Sequence, residues 1–419
     1  MKILYTNIGW RPAIGLGGPI VSVAAAAERL VRRGHEVTVF TTNAGINDKQ
    51  GIPLDQPVDV EGVKVWYFRR REFIQRVLPF VPYMSDSMGF AYAPKMRSEL
   101  NRIVPQMDCI DVQSPFIYPA LAASRAAFRM GIPLFYHQRG NLLETHLRRR
   151  SFKKKLFIRL FEQRTLLEAT TLIALNEAER TSFARFAPST PCEIVPNGID
   201  VPVALDRIGA VSRLAKLFGI PVDADVILYL GRVHRWKRVE LMLDAFLRMA
   251  NQFPRAVVVI AGPEGDWLKA LWSTMNRGGI AHKRVIFTGP VTGNVKEDLL
   301  DRADLFCLPS RGEGLSMALL EAMSHAVPSI ISPECNFKEI EMAGAGRVVD
   351  ANAHDFATTL SAYLANSDSR AAAGIAARKF AAQFSWDVTI DRLLDVYMAG
   401  IERRHSRSAN RHKARVVTI

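Results

Sequence analysis

The chain is poor in cysteine. Its four, Cys109, Cys192, Cys307 and Cys335, lie far apart and form no Cys-x-x-Cys pair, which argues against a zinc site or a disulfide framework and for buried thiols in a reducing compartment. Long apolar runs are also missing. Ala256 to Ala261 is typical of the longest, well short of the roughly 20 residues a membrane helix needs. The opening Met1-Lys2-Ile3-Leu4-Tyr5 reads as a strand, with no long apolar region or cleavage site after it to suggest a signal peptide. Aromatic residues stacked among basic sheet positions, as single-strand binders need, are not evident, so no nucleic acid partner is expected. No acidic metal-binding cluster of Asp-x-Asp type is expected either.

At 419 residues the chain is too long for one ordinary core, and two α/β domains are the natural expectation. Its charge is unevenly spread. Residues 1–200 carry 27 Lys and Arg against 18 Asp and Glu, residues 201–400 carry 22 of each, and the last 19 residues carry six against one. A basic first half and tail would suit contact with nucleic acid or an anionic membrane.

Strand and helix patterns alternate through both halves, which predicts parallel sheets with helices on both faces. In the first half the predicted strands are Lys2 to Asn7, Glu36 to Thr42, Val63 to Phe68, Cys109 to Gln113, Pro133 to His137 and Thr171 to Leu175. Helices are predicted at Pro19 to Arg33, Pro94 to Val104 and Tyr118 to Arg129. Pro196-Asn197-Gly198-Ile199-Asp200-Val201-Pro202-Val203 makes a break suited to a linker. The pattern restarts with strands at Val226 to Gly231, Ala256 to Gly262, Arg284 to Gly289, Asp304 to Leu308 and Pro328 to Ser332. Helices fill the intervals, as at Val239 to Asn251 and Gly265 to Gly278. A last helix is expected over Trp386 to Ile401. The domain expectation is therefore 1–200, 201–385 and a basic, mobile tail at 402–419.

Four stretches carry candidate chemistry. Gly15-Leu16-Gly17-Gly18-Pro19 opens the first helix, where glycine lets backbone approach a phosphate; the alternative is a tight turn alone. It lacks the Gly-x-Gly-x-x-Gly spacing, and the second strand lacks a terminal acid, so a nicotinamide or flavin cofactor is not expected. Gly231-Arg232 to Lys237-Arg238 leaves a strand's carboxyl end with a fork donor and a point charge, a set that suits a diphosphate, or else forms a solvated basic loop. His137-Gln138-Arg139-Gly140 ends a first-half strand; there His137 reads better as a packed strand residue, while Arg139 would face a cleft between the domains. Pro309 to Pro328 runs strand end, turn, then helix, with Ser316 as a plausible N-cap. Glu313 stands at the helix mouth, and Glu321 lies about 7 Å along the axis. A plain helix start with a solvated Glu is the competing reading.

Arg148 to Gln163 adds an apolar stripe, Phe152, Leu156 and Leu160 with Leu167 beyond, flanked by cations. It fits either a helix packed on its own sheet or one lying on a membrane surface. Residues 69–84 carry a second basic-apolar segment, with Arg69, Arg70 and Arg71 beside Phe73, Val77, Leu78, Phe80 and Val81.

Taken together, Gly17-Gly18-Pro19, Pro196 to Asp200, Gly231-Arg232 to Lys237, Pro309-Ser310 with Glu313-Gly314 and Glu321-Ala322-Met323, Asn336 to Glu339 and Phe384-Ser385-Trp386 resemble the retaining glycosyltransferases of the GT-B fold, family 4 (glycosyl transferases group 1). The likeness runs over nearly the whole chain. It implies two Rossmann-like α/β domains facing a central cleft, with the helix from Trp386 crossing back onto the first. It implies a nucleotide-diphosphate-sugar donor on the second domain, a glycan or lipid-linked acceptor on the first, and neither a cofactor nor a metal. Carried over residue by residue, Arg232 and Lys237 would hold the diphosphate and Glu313 the sugar hydroxyls. Glu321 would hold the ribose, and Gly314, Leu315 and Ser316 would line the donor site. Amides near Gly17 and Gly18 would assist the phosphates. Arg139 replaces a histidine common in the family and would put a fixed cation near the acceptor or phosphates. Leu315, Ser316 and Ala326 are milder departures. The expected place is the cytoplasm, on the inner face of the plasma membrane if the basic first domain meets lipid. A sugar-nucleotide epimerase of the same fold and a silent nucleotide-sugar-binding protein remain as alternatives.

Overall fold

A computed structural model describes residues 1–13, 17–46, 50–71, 90–148, 151–263, 271 and 283–416, and for residues 151 and 407–416 the backbone alone. Gly15, Leu16, the apolar residues of 72–84 and most of the predicted Gly265 to Gly278 helix lie outside the described residues. The chain divides into two units: Met1–Gly198 with Trp386–Ile419, and Ile199–Ser385.

The first unit holds an eight-stranded sheet in the order β3-β4-β2-β1-β5-β6-β7-β8. The strands are β1 Lys2–Thr6, β2 Glu36–Thr42, β3 Pro57–Val60, β4 Val63–Phe68, β5 Cys109–Gln113, β6 Leu134–His137, β7 Thr171–Ala174 and β8 Cys192–Ile194. Pairing is parallel except for the β3–β4 hairpin, which turns through Glu61 and Gly62 at φ 55° and 79°, both in the left-handed region that suits a two-residue hairpin. Pro57 opens β3 at the sheet's edge, the place where a missing N–H costs no ladder bond. The central strands are buried on both faces, and successive side chains feed two cores. Leu4, Phe40, Ile110, Tyr136 and Leu172 enter one with the Lys95–Ile103 and Tyr118–Met130 helices; Ile3, Tyr5, Val39, Phe135 and Ile173 enter the other with the Gly18–Arg32 helix.

The second core is completed by the last helix, whose Trp386, Ile390, Leu393, Val396 and Tyr397 are buried in it. Gly198 makes this possible, because a Cβ there would come within 2.3 Å of the Trp386 ring. Arg29 stacks over that ring, 4.6 Å from its centroid, a cation–π contact. The helix does not stop at Ile401. It runs Trp386–Val416, so most of the tail expected to be mobile is helical, and near its start Arg403 donates to Thr171 Oγ1 at 2.8 Å.

The second unit holds a six-stranded, all-parallel sheet in the order β11-β10-β9-β12-β13-β14. Its strands are β9 Asp225–Leu230, β10 Ala256–Ala261, β11 Val285–Gly289, β12 Leu305–Leu308, β13 Ser329–Ile331 and β14 Gly346–Val348. The order reverses between β9 and β12, and between β1 and β5 in the first sheet. Carboxyl ends at such reversals are where open α/β sheets take ligands.

Candidate functional site

In the second unit, the loops leaving β9 and β12 are laced together at the reversal. Arg238, in the left-handed region at φ 49°, heads the Val239–Met249 helix. It is buried, and its guanidinium donates to the carbonyls of Pro309 at 2.6 Å and Ser310 at 2.8 Å while pairing with Glu334 at 3.1 Å. A planar fork can meet carbonyls and a carboxylate together in one fixed geometry. The Arg311 N–H donates to the Trp236 carbonyl at 2.7 Å and completes the lacing.

On that base Lys237 and Glu313 meet, Nζ to Oε1, at 2.5 Å and partly buried. Glu313 is positioned at both backbone ends: its N–H donates to the Glu334 carbonyl at 3.1 Å, and its carbonyl accepts from Asn336 Nδ2 at 2.9 Å. Asn336 takes the left-handed conformation this requires, at φ 54°. Arg232, in the same β9 loop, is exposed, its carbonyl held by the Tyr229 hydroxyl at 2.8 Å. Burial, and the nearby Glu313 charge, push the Tyr229 pKa well above its ordinary value, so the hydroxyl stays a donor.

Gly314 and Leu315 lead to Ser316, whose Oγ accepts from the Leu319 N–H at 3.3 Å and caps the Met317–Ser324 helix. Leu315 is buried, so its side chain packs and only its backbone can serve a ligand. Glu321 faces Lys296 of the Gly293–Arg302 helix at 3.1 Å. Burial raises the Glu321 pKa, with Lys296 opposing. Burial also opposes the Lys296 charge, but Glu321 and Glu297 outweigh it and raise that pKa. His325 follows the same rule: burial works against its charge, while Glu297 at 3.0 Å and Asp301 at 2.6 Å raise its pKa. Lys296 and Arg238 were not singled out by sequence, because each gains meaning only from a partner 25 or more residues away.

In the first unit, Gly17 at φ 123° precedes the Gly18–Arg32 helix. That helix has no capping side chain and no acid in its first turn, and a Cβ on Gly18 would meet nothing within 4 Å. Among the described residues its amino end is thus uncrowded, and it is electrically suited to an anion. Arg139, at φ 49°, follows β6. Its Nε donates to Gln113 Oε1 at 2.8 Å and its Nη1 to Asn197 Oδ1 at 2.7 Å, which joins two of the sequence motifs. Burial lowers its pKa, with Asp111 and Glu179 opposing.

Beneath Arg139 lies a buried cluster that sequence did not reveal. The Asp111 carboxylate accepts from Gln113 Nε2 at 2.6 Å and from the Tyr397 hydroxyl, and His137 Nε2 lies 3.1 Å away. Tyr5 meets Tyr397 at 3.1 Å. His137 is a packed strand residue whose pKa is lowered by burial, which keeps the ring neutral near pH 7. Glu179 accepts from the Gly140 N–H at 2.5 Å and the Leu175 N–H at 2.8 Å, and burial pushes its pKa up to about 7.

An Asp-x-Asp spacing does occur, at Asp223-Ala-Asp225, against the expectation of no such cluster. It sits at the amino end of β9, away from the ligand edge, and Asp225 is engaged by Arg370 at 3.4 Å and Arg255 at 3.5 Å. Among the described residues no group of three or more His, Cys, Asp or Glu could hold a metal ion.

Residues 213–380 match the family described as Glycosyl transferases group 1, and residues 17–198 match a Glycosyl transferase 4-like domain. The chain belongs to the family 4 glycosyltransferases. A D-inositol 3-phosphate glycosyltransferase of Mycolicibacterium smegmatis is 27% identical over 98% of this chain and 94% of its own. Among solved structures, HepE of Anabaena in complex with UDP and glucose superposes with TM-score 0.72 at 19% identity, covering 95% of this chain and all of its own. Sucrose-phosphate synthase of Thermosynechococcus elongatus superposes with TM-score 0.76 at 16% identity, covering 95% and 98%. The fold is GT-B, and the glycosyltransferase is a retaining, nucleotide-sugar-dependent enzyme.

Proposed function

We propose that the second unit holds a nucleotide-diphosphate-sugar through Arg232, Lys237, Glu313 and Glu321. In this reading the sugar passes to a hydroxyl on an anionic, lipid-linked or growing surface glycan bound by the first unit. The observation that carries the reading is the Lys237–Glu313 pair at the β9–β12 reversal. A cation and a carboxylate held side by side offer one group to a diphosphate and the other to sugar hydroxyls.

As the anomeric bond breaks, negative charge gathers on the departing diphosphate. Lys237, Arg232 and the amides of Gly314 to Ser316 would then bind it more strongly than in the ground state, which is how they accelerate the step. Glu321 on its helix would take the ribose hydroxyls, with Lys296 beside its carboxylate at 3.1 Å. Arg139 and the amides at Gly17 and Gly18 supply fixed positive ends in the first unit, for the phosphates or an acceptor anion. Retention is proposed to follow a same-face course, with the acceptor entering beside the leaving group; a glycosyl adduct trapped on Glu313 would replace it with double displacement.

The test is nucleotide diphosphate release from a panel of nucleotide-sugars, with and without candidate acceptors. The panel includes inositol 3-phosphate, which the relatives' name suggests, and lipid-linked glycans. Release that depends on an anionic acceptor is the expected outcome. Transfer confined to neutral free sugars would overturn the acceptor assignment.

A further inference from the structure

The sequence left open whether the Phe152, Leu156, Leu160, Leu167 stripe packs on its own sheet. It does not. The segment 151–168 buries its other face, through Phe157, Ile158 and Leu166, while Phe152 is 78% exposed, Leu160 59%, Leu167 47% and Leu156 36%. Four large apolar side chains thus stand on the outward face of one helical segment, where a surface helix ordinarily turns polar residues. Cations stand among them: Lys153, Lys155, Arg159 and Arg164 are all exposed.

Beside the stripe, and meeting it at Leu160, is a groove of about 750 Å³ between this segment and the Lys95–Ile103 and Tyr118–Met130 helices. Arg97, Arg125, Arg129 and Arg164 line it together with Tyr92 and Tyr118. The first three arginines come from two helices adjacent to the stripe, so positive charge and exposed apolar surface converge from separate parts of the chain on one face of the first unit. A nucleic acid would be served by the charge but not by the leucines; a neutral protein partner would be served by the leucines but not by the cations.

We propose that this face docks on an anionic phospholipid bilayer. The Phe152–Leu167 stripe enters the headgroup–acyl boundary, and the arginine groove receives lipid phosphates. The inference concerns a surface outside the transfer machinery and stands whether or not the acceptor assignment is right.

The experiment is flotation of the full-length protein with phosphatidylcholine vesicles, with and without phosphatidylglycerol. It compares wild type, Phe152→Ser/Leu160→Ser, and Arg125→Glu/Arg159→Glu, each also examined by light scattering. All four positions are exposed, so thermal melts should match wild type. Wild type should float only with phosphatidylglycerol, and less at high salt. The charge-reversed variant should stay with the soluble fraction, and the serine variant should lose about tenfold or more in binding. No flotation at low salt would overturn the proposal, as would flotation unchanged in both variants, which would assign the contact to the basic tail. A wild-type dimer that becomes monomeric in the serine variant would also overturn it, by showing that a second copy covers the face.

Discussion

Lys237 and Arg238 are neighbours in sequence with unlike neighbours in space. Lys237 ends on Glu313, whereas Arg238 is spent inside the protein on two carbonyls and Glu334. Arg238→Ala would strand the two carbonyls and is expected to cost about 1–3 kcal/mol, read from urea unfolding, the scale for leaving buried acceptors unsatisfied. Glu179 gives a pH signature. Its folded pKa of about 7 lies above its unfolded value near 4.3, so the folded state holds the extra proton between them. Its contribution is fully present below the unfolded pKa and is lost as pH rises through the folded one. Stability should therefore fall between about pH 4.5 and 7. Glu179→Gln, which cannot titrate, should flatten that slope in urea midpoints taken across the window.

At the level of elements, the last helix is a part of the first unit's core that happens to come last in the chain. Gly198→Ala would drive a methyl group into the Trp386 ring, and overpacking of this kind should cost about 1–3 kcal/mol in a thermal melt. Tyr397→Phe on the same helix removes the hydroxyl that Asp111 accepts, leaving a buried carboxylate one donor short, a loss of about 1–3 kcal/mol. Elements differed in how readily the sequence revealed them. Strands such as β10 and β12, buried on both faces, stand out as apolar runs. Edge strand β3, half exposed, and the three-residue β8 and β14 carry too few apolar positions to register. Continuation of the last helix past Ile401 was hidden for the opposite reason, because a polar, basic run has little apolar pattern to mark it as helix.

For the molecule as a whole, the residues legible in sequence were those in loops at sheet carboxyl ends, where a charged side chain beside a glycine has few structural reasons to exist. Arg232, Glu313 and Arg139, each beside a glycine, were singled out as candidates that way; Lys237 was singled out with the loop of Arg232, and Glu321 as a second carboxylate on the helix behind Ser316. Arg238, Lys296, Asp111 and Glu179 were not, since their chemistry lies in partners that only the fold assembles. The charge imbalance between the halves was legible as well, and the structure gathers part of it on one face of the first unit. The central claim rests on Lys237 beside Glu313, and steady-state turnover of Lys237→Ala with a nucleotide-sugar at saturation tests it most directly. The account predicts a fall in kcat of about 10²-fold or more, the scale for losing one donor to developing negative charge, with folding unchanged. Turnover near that of wild type would remove Lys237 from the reaction and contradict the account.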